Sequence, residues 1–283
     1  MQALLRKNSI NCGGSLISLD QPVVMGILNI TPDSFFESSR VGSNHQLLVQ
    51  AEKMLLDGAQ ILDIGGQSTR PGAILIDWEE ERKRVVPAIE LLNKYFPEAI
   101  LSIDTFYAKV AEESVAAGAH IINDISAGEA DADMFPLLQK LQVPYIMMHK
   151  KGSISTMQNN PTYGNIVLEI VDYFSKRLAE LRALGVADVI LDPGFGFGKT
   201  LEHNYELLQK LDRLKLFELP LLVGVSRKSM IQKVLQTSAS DSLNGTTALH
   251  MIALERGANI LRVHDVKEAV QCVKLFQSLV NIG

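Results

Sequence analysis

Cysteine is scarce: the 283 residues hold two, Cys12 and Cys272, far apart in the chain. Two distant thiols build neither a disulfide framework nor a zinc site, so both are expected as buried free thiols, and no redox chemistry is implied. No apolar run reaches the roughly 18 residues that a membrane-spanning helix needs. Basic clusters interleaved with aromatics are also missing, and the formal charge is -5. These absences exclude a nucleic-acid or anionic-membrane surface as the first expectation and favour a small-molecule partner. The opening Met1-Gln2-Ala3-Leu4-Leu5-Arg6-Lys7-Asn8 breaks its apolar run with charge after three residues. It therefore does not build the hydrophobic region of a signal peptide, and a cytoplasmic location is expected.

What is present is apolar mass, 47% hydrophobic against 21% charged residues, enough to fill a sizeable core. Length alone does not choose between one large domain and two small ones, because α/β barrels of about 250 residues form single domains. The pattern along the chain decides. After a segment at about 4–19 that reads as a β-hairpin around Cys12-Gly13-Gly14, a short apolar strand, a polar or glycine-bearing turn and a longer amphipathic helix recur eight times. Strands are expected at 23–30, 61–65, 101–105, 121–126, 145–149, 188–193, 220–226 and 259–263, each short and apolar enough to be buried on both faces. Helices such as 79–95, 107–117, 165–184 and 266–280 carry apolar residues three and four apart, with charge on the opposite face. Asp57-Gly58-Ala59, Ala117-Gly118-Ala119 and Arg256-Gly257-Ala258 each place a glycine between a helix and the next strand, where helices commonly end. No Pro/Ser-rich linker divides the units. The alternation requires parallel strands, and eight units predict a single (β/α)8 barrel domain over 1–283, with the barrel itself at about 23–280.

Side chains at the carboxyl ends of barrel strands converge on one mouth. Here those ends are polar: Asn29, Asp63 with the Gly65-to-Arg70 loop, Asp104, Asn123 with Asp124, His149, Asp192, Ser226 with Lys228, and Arg262 with His264. A single buried Asp at a strand end is as often structural as functional. Asp104, Asn123 and Asp192 together offer acceptors and an amide to the edge of a flat heterocycle carrying an amino group and a ring N–H, such as a pterin or purine. Arg70, Lys228, Arg262 and His264 form a second, cationic group where barrels commonly hold phosphate. The plainer expectation for these cations is pairing with neighbouring acids, since Asp265 directly follows His264.

Two glycine-rich loops stand apart from these groups. Gly194-Phe195-Gly196-Phe197-Gly198-Lys199 resembles a dinucleotide fingerprint but comes late and lacks the final glycine, so NAD binding is not expected. The loop is better suited to bringing Asp192 close to a ligand, with Phe197 free to pack on an aromatic ring. Gly65-Gly66 followed by Ser68, Thr69 and Arg70 suits a polar lid.

With those residues assembled, the chain resembles the dihydropteroate synthase family. The resemblance starts at Met25-Gly26-Ile27-Leu28-Asn29-Ile30-Thr31-Pro32-Asp33-Ser34-Phe35 and continues at Asp63-Ile64-Gly65-Gly66 with Ser68-Thr69-Arg70-Pro71-Gly72. It goes on through Ser102-Ile103-Asp104-Thr105, Ile122-Asn123-Asp124, Asp192-Pro193-Gly194 to Lys199, Gly224 with Ser226-Arg227-Lys228-Ser229, and Arg262-Val263-His264-Asp265. It covers about 23 to 280 in order. The resemblance implies joining of 6-hydroxymethyl-7,8-dihydropterin pyrophosphate to 4-aminobenzoate with release of pyrophosphate, in a homodimer that uses Mg2+. It implies that Asp104, Asn123, Met147, Asp192, Gly224, Lys228 and Arg262 hold the pterin, Met147 as the floor. Asn29, Thr69, Arg70, Arg262 and His264 would bind pyrophosphate, Asn29 also serving Mg2+ as an oxygen ligand. Phe35, Pro71, Phe197, Lys228 and Ser229 would receive the aminobenzoate, and Asp104, Lys228, Arg262, His264 and Arg70 would carry catalysis.

The sequence departs from the family pattern at Gln67, where Glu is usual, at Lys150, where Met is usual, and at Phe36-Glu37-Ser38-Ser39, which replaces a Ser-Asp-Gly-Gly turn. Two other functions compete: a pterin-binding methyltransferase barrel, which has no pyrophosphate to bind, and a catalytically silent pterin-binding paralogue. The cationic group favours the synthase over the first, and turnover separates it from the second.

Overall fold

The structure, a computed structural model, describes residues 9–30, 40–67, 75–153, 157 and 160–280. Strands β1 (Ser9–Cys12) and β2 (Ser15–Ser18) form the expected antiparallel hairpin. Gly13 and Gly14 turn it at φ of 62° and 95°, a region that glycine enters without a Cβ clash.

The strands β3 (Val23–Asn29), β4 (Ile61–Gly65), β5 (Ile100–Asp104), β6 (Ile121–Asp124), β7 (Tyr145–Met148), β8 (Val189–Asp192), β9 (Leu222–Val223) and β10 (Ile260–Val263) follow. All pair in parallel, in the order β8-β7-β6-β5-β4-β3-β10-β9. A parallel bridge between Leu191 and Leu221 joins the two edges of this sheet, and the Leu191 N–H donates to Pro220 O at 2.9 Å. The eight-stranded barrel is thereby closed, as the alternation predicts. The two strands expected at 121–126 and 220–226 stop early. The Asp124 carboxylate accepts the backbone N–H groups of Ser126 at 2.6 Å and Gly128 at 2.7 Å, curling the chain out of the sheet. The Lys228 N–H donates to Val225 O at 3.1 Å and makes a turn in place of a strand end.

The helices are α1 (Arg40–Leu56), α2 (Trp78–Tyr95), α3 (Ala108–Ala116), α4 (Met134–Leu141), α5 (Ile166–Ala183), α6 (Leu201–Gln209), α7 (Ser229–Leu235), α8 (Leu243–Glu255) and α9 (Val266–Val280). None among the described residues is long and apolar enough to cross a membrane. Helix α2 starts where the Asp77 carboxylate accepts the Glu80 N–H at 2.8 Å. Glu79, Glu80 and Glu81 fill its first turn, where negative charge suits the helix dipole. Gly58, Gly118 and Gly257 end α1, α3 and α8 at φ of 102°, 118° and 101°, the left-handed exit read from the sequence.

The core has two layers. One fills the space between strands and helices. The other lies inside the barrel, where Val23, Met25, Ile61, Ile121, Ile146, Ile190, Leu222 and Ile260 pack together and Ile10, Cys12 and Leu19 of the hairpin segment close the floor. Both cysteines are free and buried, as expected. Burial pushes the Cys12 thiol up to about 12, which keeps it inert.

Candidate active site

Strand register decides which side chains meet in the mouth. Ile146 belongs to the inner layer and is the lateral neighbour of Asn123. Asn123 is in turn the neighbour of Asp104, Asp104 of Gly65, and Gly65 of Asn29. Lateral neighbours point to the same side of a sheet, so Asn29, Asp104 and Asn123 all face the barrel axis. Met148 and Asp192 form a further such pair on β7 and β8.

Arg262, from β10, crosses this mouth and is its electrostatic hub. Its Nε donates to Asp63 Oδ2 at 2.6 Å and its Nη2 to Asp104 Oδ2 at 2.5 Å. The Asn123 amide donates to the same Asp63 oxygen at 3.0 Å. Arg262 and Asn123, from two other strands, are thus locked on Asp63, which is fully buried. Burial raises the Asp104 carboxyl; Arg262 opposes the rise, and Asp63, Asp124 and Asp192 add to it. Burial also raises Asp192, against Lys228. A site with more carboxyl groups than cations suits a ligand that is electron-poor or becomes positive.

The other side of the mouth is built by the loops after β8 and β9. The Lys228 Nζ donates to Phe195 O and stands 4.9 Å from the centre of the Phe197 ring. Burial lowers the Lys228 ammonium to about 8, against the pull of Asp192. Gly224 borders the gap between the cations: a Cβ there would lie at ordinary contact distance, 3.9 Å, from both Lys228 Nζ and Arg262 Cβ. Asp192 Oδ1 accepts the Gly194 N–H at 2.7 Å. Ser226 Oγ accepts the His264 N–H at 3.2 Å and lies 3.1 Å from His264 Nδ1, which orients an exposed imidazole. Asp265 pairs with Arg227 through two contacts at 2.8 and 2.7 Å, so the acid that follows His264 is committed to a different cation. Ser229, exposed, opens α7 behind Lys228.

The structure therefore brings Asn29, Asp104, Asn123, Asp192, Gly224, Lys228 and Arg262 together, with Phe197, His264 and Ser229 at the rim. Phe35, Thr69, Arg70 and Pro71 lie outside the described residues, as do Phe36 to Ser39. One expectation is corrected. Met147 packs with the helix-facing core, while Met148 faces the barrel beside Phe106, Ile125 and Phe197. The β7 side chain that faces the mouth is Met148, because β7 side chains alternate and the inward parity runs through Ile146. His149 also turns away from the mouth: it is buried and contacts Lys199 Nζ at 3.0 Å through Nδ1. Sequence reasoning left Glu81 unmarked. It is fully buried on α2, accepts the Thr105 hydroxyl at 2.7 Å and so supports the residue after Asp104. Its position in a charged first turn hid it. At Gln67 the amide oxygen accepts the Ile76 N–H at 2.9 Å and holds the base of the β4 loop. Lys150 pairs with Glu129 at 3.2 Å, joining the β6 and β7 loops.

A closed parallel barrel whose strand ends present an acid–amide row opposite two half-buried cations defines an enzyme of the heterocycle-binding (β/α)8 class. The model of the pterin binding enzyme family matches residues 25–264. The dihydropteroate synthase of Escherichia coli (strain K12) is 44% identical over 275 residues, which is 95% of this chain and 95% of that protein. A Yersinia pestis dihydropteroate synthase in complex with a sulfonamide drug superposes with a TM-score of 0.91 at 42% identity, covering 97% of this chain and all of that one (100%). The Xanthomonas albilineans dihydropteroate synthase with 4-aminobenzoic acid gives 0.90 at 36% identity, covering 96% and 98%. The chain belongs to the pterin binding enzymes and, within them, to the dihydropteroate synthases.

Proposed function

We propose that this chain condenses a 6-hydroxymethyl-7,8-dihydropterin pyrophosphate with 4-aminobenzoate to give 7,8-dihydropteroate and pyrophosphate. The observation that carries the assignment of parts is the row Asp104–Asn123–Asp192 standing opposite Arg262 and Lys228. In this assignment Asp104, Asn123 and Asp192 take the amino and ring N–H groups of the pterin edge, and Met148 floors the ring. Two carboxylates hold the Arg262 guanidinium at one edge, so its flat face remains available for stacking on the pterin. Gly224 leaves room for that ring between the two cations.

The reaction needs stabilised charge rather than a protein nucleophile. The C–O bond at the pterin methylene breaks with its electron pair leaving on pyrophosphate. The positive charge left behind spreads over the pterin ring, beside Asp63, Asp104 and Asp192. Arg262 and His264, with Thr69 and Arg70, take the departing phosphate oxygens. The neutral arylamine nitrogen then forms the C–N bond and gives up a proton. Lys228, Phe197 and Ser229, with Phe35 and Pro71, shape the aminobenzoate slot.

Asn29 is the group that would hold Mg2+. Its Oδ1 and Asp104 Oδ2 both lie 3.7 Å from the place a Cβ on Gly65 would occupy; Asp104 Oδ2 already accepts from Arg262, which leaves Asn29 Oδ1 as the hard oxygen donor there. A cation that retains water and takes phosphate oxygens fits so sparse a protein contribution. Bound Mg2+ would supply positive charge at the oxygens of the leaving pyrophosphate. A cytoplasmic homodimer completes the proposal; large apolar side chains stay exposed on the last three helices, among them Val234, Leu235, Ile252, Leu275 and Leu279.

The test is pyrophosphate release on mixing the protein with the pterin pyrophosphate, Mg2+ and 4-aminobenzoate, omitting each in turn. Release that requires all three, with dihydropteroate formed, is expected in the wild type and lost in Asp104→Ala and Lys228→Ala. Pterin binding without turnover would make the chain a silent paralogue, and full activity in both variants would remove these residues from the site.

A further inference from the structure

We propose that Lys199 is a positioning residue, a buried clamp that ties the loop after β8 to the loop after β7 and thereby sets Phe197 for the aminobenzoate ring; this rests on the placement of that ring against Phe197. Lys199 is 4% exposed. Among the described residues no carboxylate lies within ion-pair distance of it. Its Nζ instead contacts Gly194 O at 2.8 Å, His149 Nδ1 at 3.0 Å and Phe197 O at 3.1 Å, with His149 O further off at 3.4 Å. An ammonium has three protons and no acceptor site. The three nearer contacts match those protons, which makes His149 Nδ1 the acceptor and leaves the imidazole neutral. Burial, with Lys199 beside it, holds the His149 ring far below its usual range, consistent with that assignment.

The geometry around Lys199 is a loop wrapped on its own cation. Gly194 and Gly198 adopt φ of 69° and 63°. A Cβ on Gly194 would stand 1.9 Å from His149 O and one on Gly198 2.2 Å from Lys151 O, so the two loops meet backbone to backbone. The Tyr163 hydroxyl donates to Gly198 O at 2.9 Å, and Asn204 Oδ1 accepts the Gly196 N–H at 2.7 Å. Between these fixed points stand Phe195, whose carbonyl anchors Lys228, and Phe197, whose ring faces it. Burial pushes the Lys199 ammonium well below its ordinary value, and Asp192 opposes the fall from beyond contact distance; the carbonyls turned inward by the loop offset the rest of the desolvation cost. Remove the ammonium and those carbonyls repel one another; the loop then has no reason to keep Phe197 where it is.

Lys199→Met keeps the length of the side chain and removes its donors. Losing one buried positioning contact is worth about 1.4 kcal/mol, so KM for 4-aminobenzoate is expected to rise roughly tenfold. KM for the pterin pyrophosphate and kcat per folded molecule should change far less. His149→Leu, a milder change outside the substrate-binding residues, should move the same KM in the same direction, and the double variant should be no worse than the worse single one. His149→Asn, whose Oδ1 takes the place of Nδ1 as an acceptor, should restore the wild-type KM. Phe197→Ala serves as the control. If it raises KM for 4-aminobenzoate while folded Lys199→Met does not, the clamp is refuted; if it leaves that KM unchanged, the slot assignment itself fails. Should Lys199→Met not fold, the His149 pair decides: unchanged KM in His149→Leu refutes the clamp.

Discussion

At the scale of single residues, the mouth turns on parity. Met147 and Met148 are adjacent, equally apolar and both buried, yet one faces the helices and the other the ligand. In cooled assays where both variants stay folded, Met148→Ala is expected to raise KM for the pterin pyrophosphate severalfold. Met147→Ala should leave that KM alone and lower stability by about 2–5 kcal/mol, as for other truncations of a packed core. Steady-state kinetics alongside urea unfolding would check both; a raised KM in Met147→Ala instead would reverse the assignment. Asp63 belongs to the same scale. Its Oδ2 organises Arg262 and Asn123 at once, so the two groups expected to grip the pterin from the edge and the face are placed by a third that is fully buried.

Among elements, α2 does more than cover the barrel. Glu81 sits against Gly66, where a Cβ would press on Glu81 Cγ at 3.1 Å and on Val85 Cγ1 at 2.7 Å. The helix and the β4 loop can therefore approach only because the loop has a glycine there. Burial raises the Glu81 carboxyl from 4.5 to about 7, with the Thr105 hydroxyl opposing the rise. A folded-state pKa above the unfolded one means that folding takes up a proton. Stability from this group is then complete below about pH 4.5 and falls as pH rises through about 7. Glu81→Gln removes this dependence. Its stability relative to wild type should increase between pH 5 and pH 8, by at most about 3 kcal/mol; urea midpoints across that range would show it, and a constant difference would mean that Glu81 is not a buried titrating group.

For the whole molecule, the hairpin and the mouth divide the barrel between them. Ile10, Cys12 and Leu19 seal the amino-terminal floor, which leaves the carboxyl ends of the strands free to be polar. The proposed dimer would use the outer surface near the chain's last helices. Sedimentation equilibrium at micromolar concentration is expected to give about twice the 31.1 kDa of the chain. The substitution pair Leu275→Glu and Leu279→Glu, on exposed positions of α9, should shift that mass to the monomer. A wild-type mass of one chain would remove the dimer from the proposal.

Much of this was legible in the chain itself. Strand–helix alternation and the glycines at 58, 118 and 257 follow from local chemistry: buried parallel strands are short and apolar, and a helix that must turn into a strand needs a residue free of the Cβ clash. The polar strand ends were legible for the same reason, since Asn29, Asp104, Asn123, Asp192, Lys228 and Arg262 interrupt runs that would otherwise be apolar. What only tertiary structure decided is the direction in which each side chain points. A strand buried on both faces carries no alternating pattern, and a one-residue shift exchanges its two faces, so nothing local separates Met147 from Met148. His149 and Lys199 were beyond sequence for a related reason: they stand fifty positions apart, and the contact that turns both away from solvent exists only once the barrel has closed and set the loops after β7 and β8 side by side.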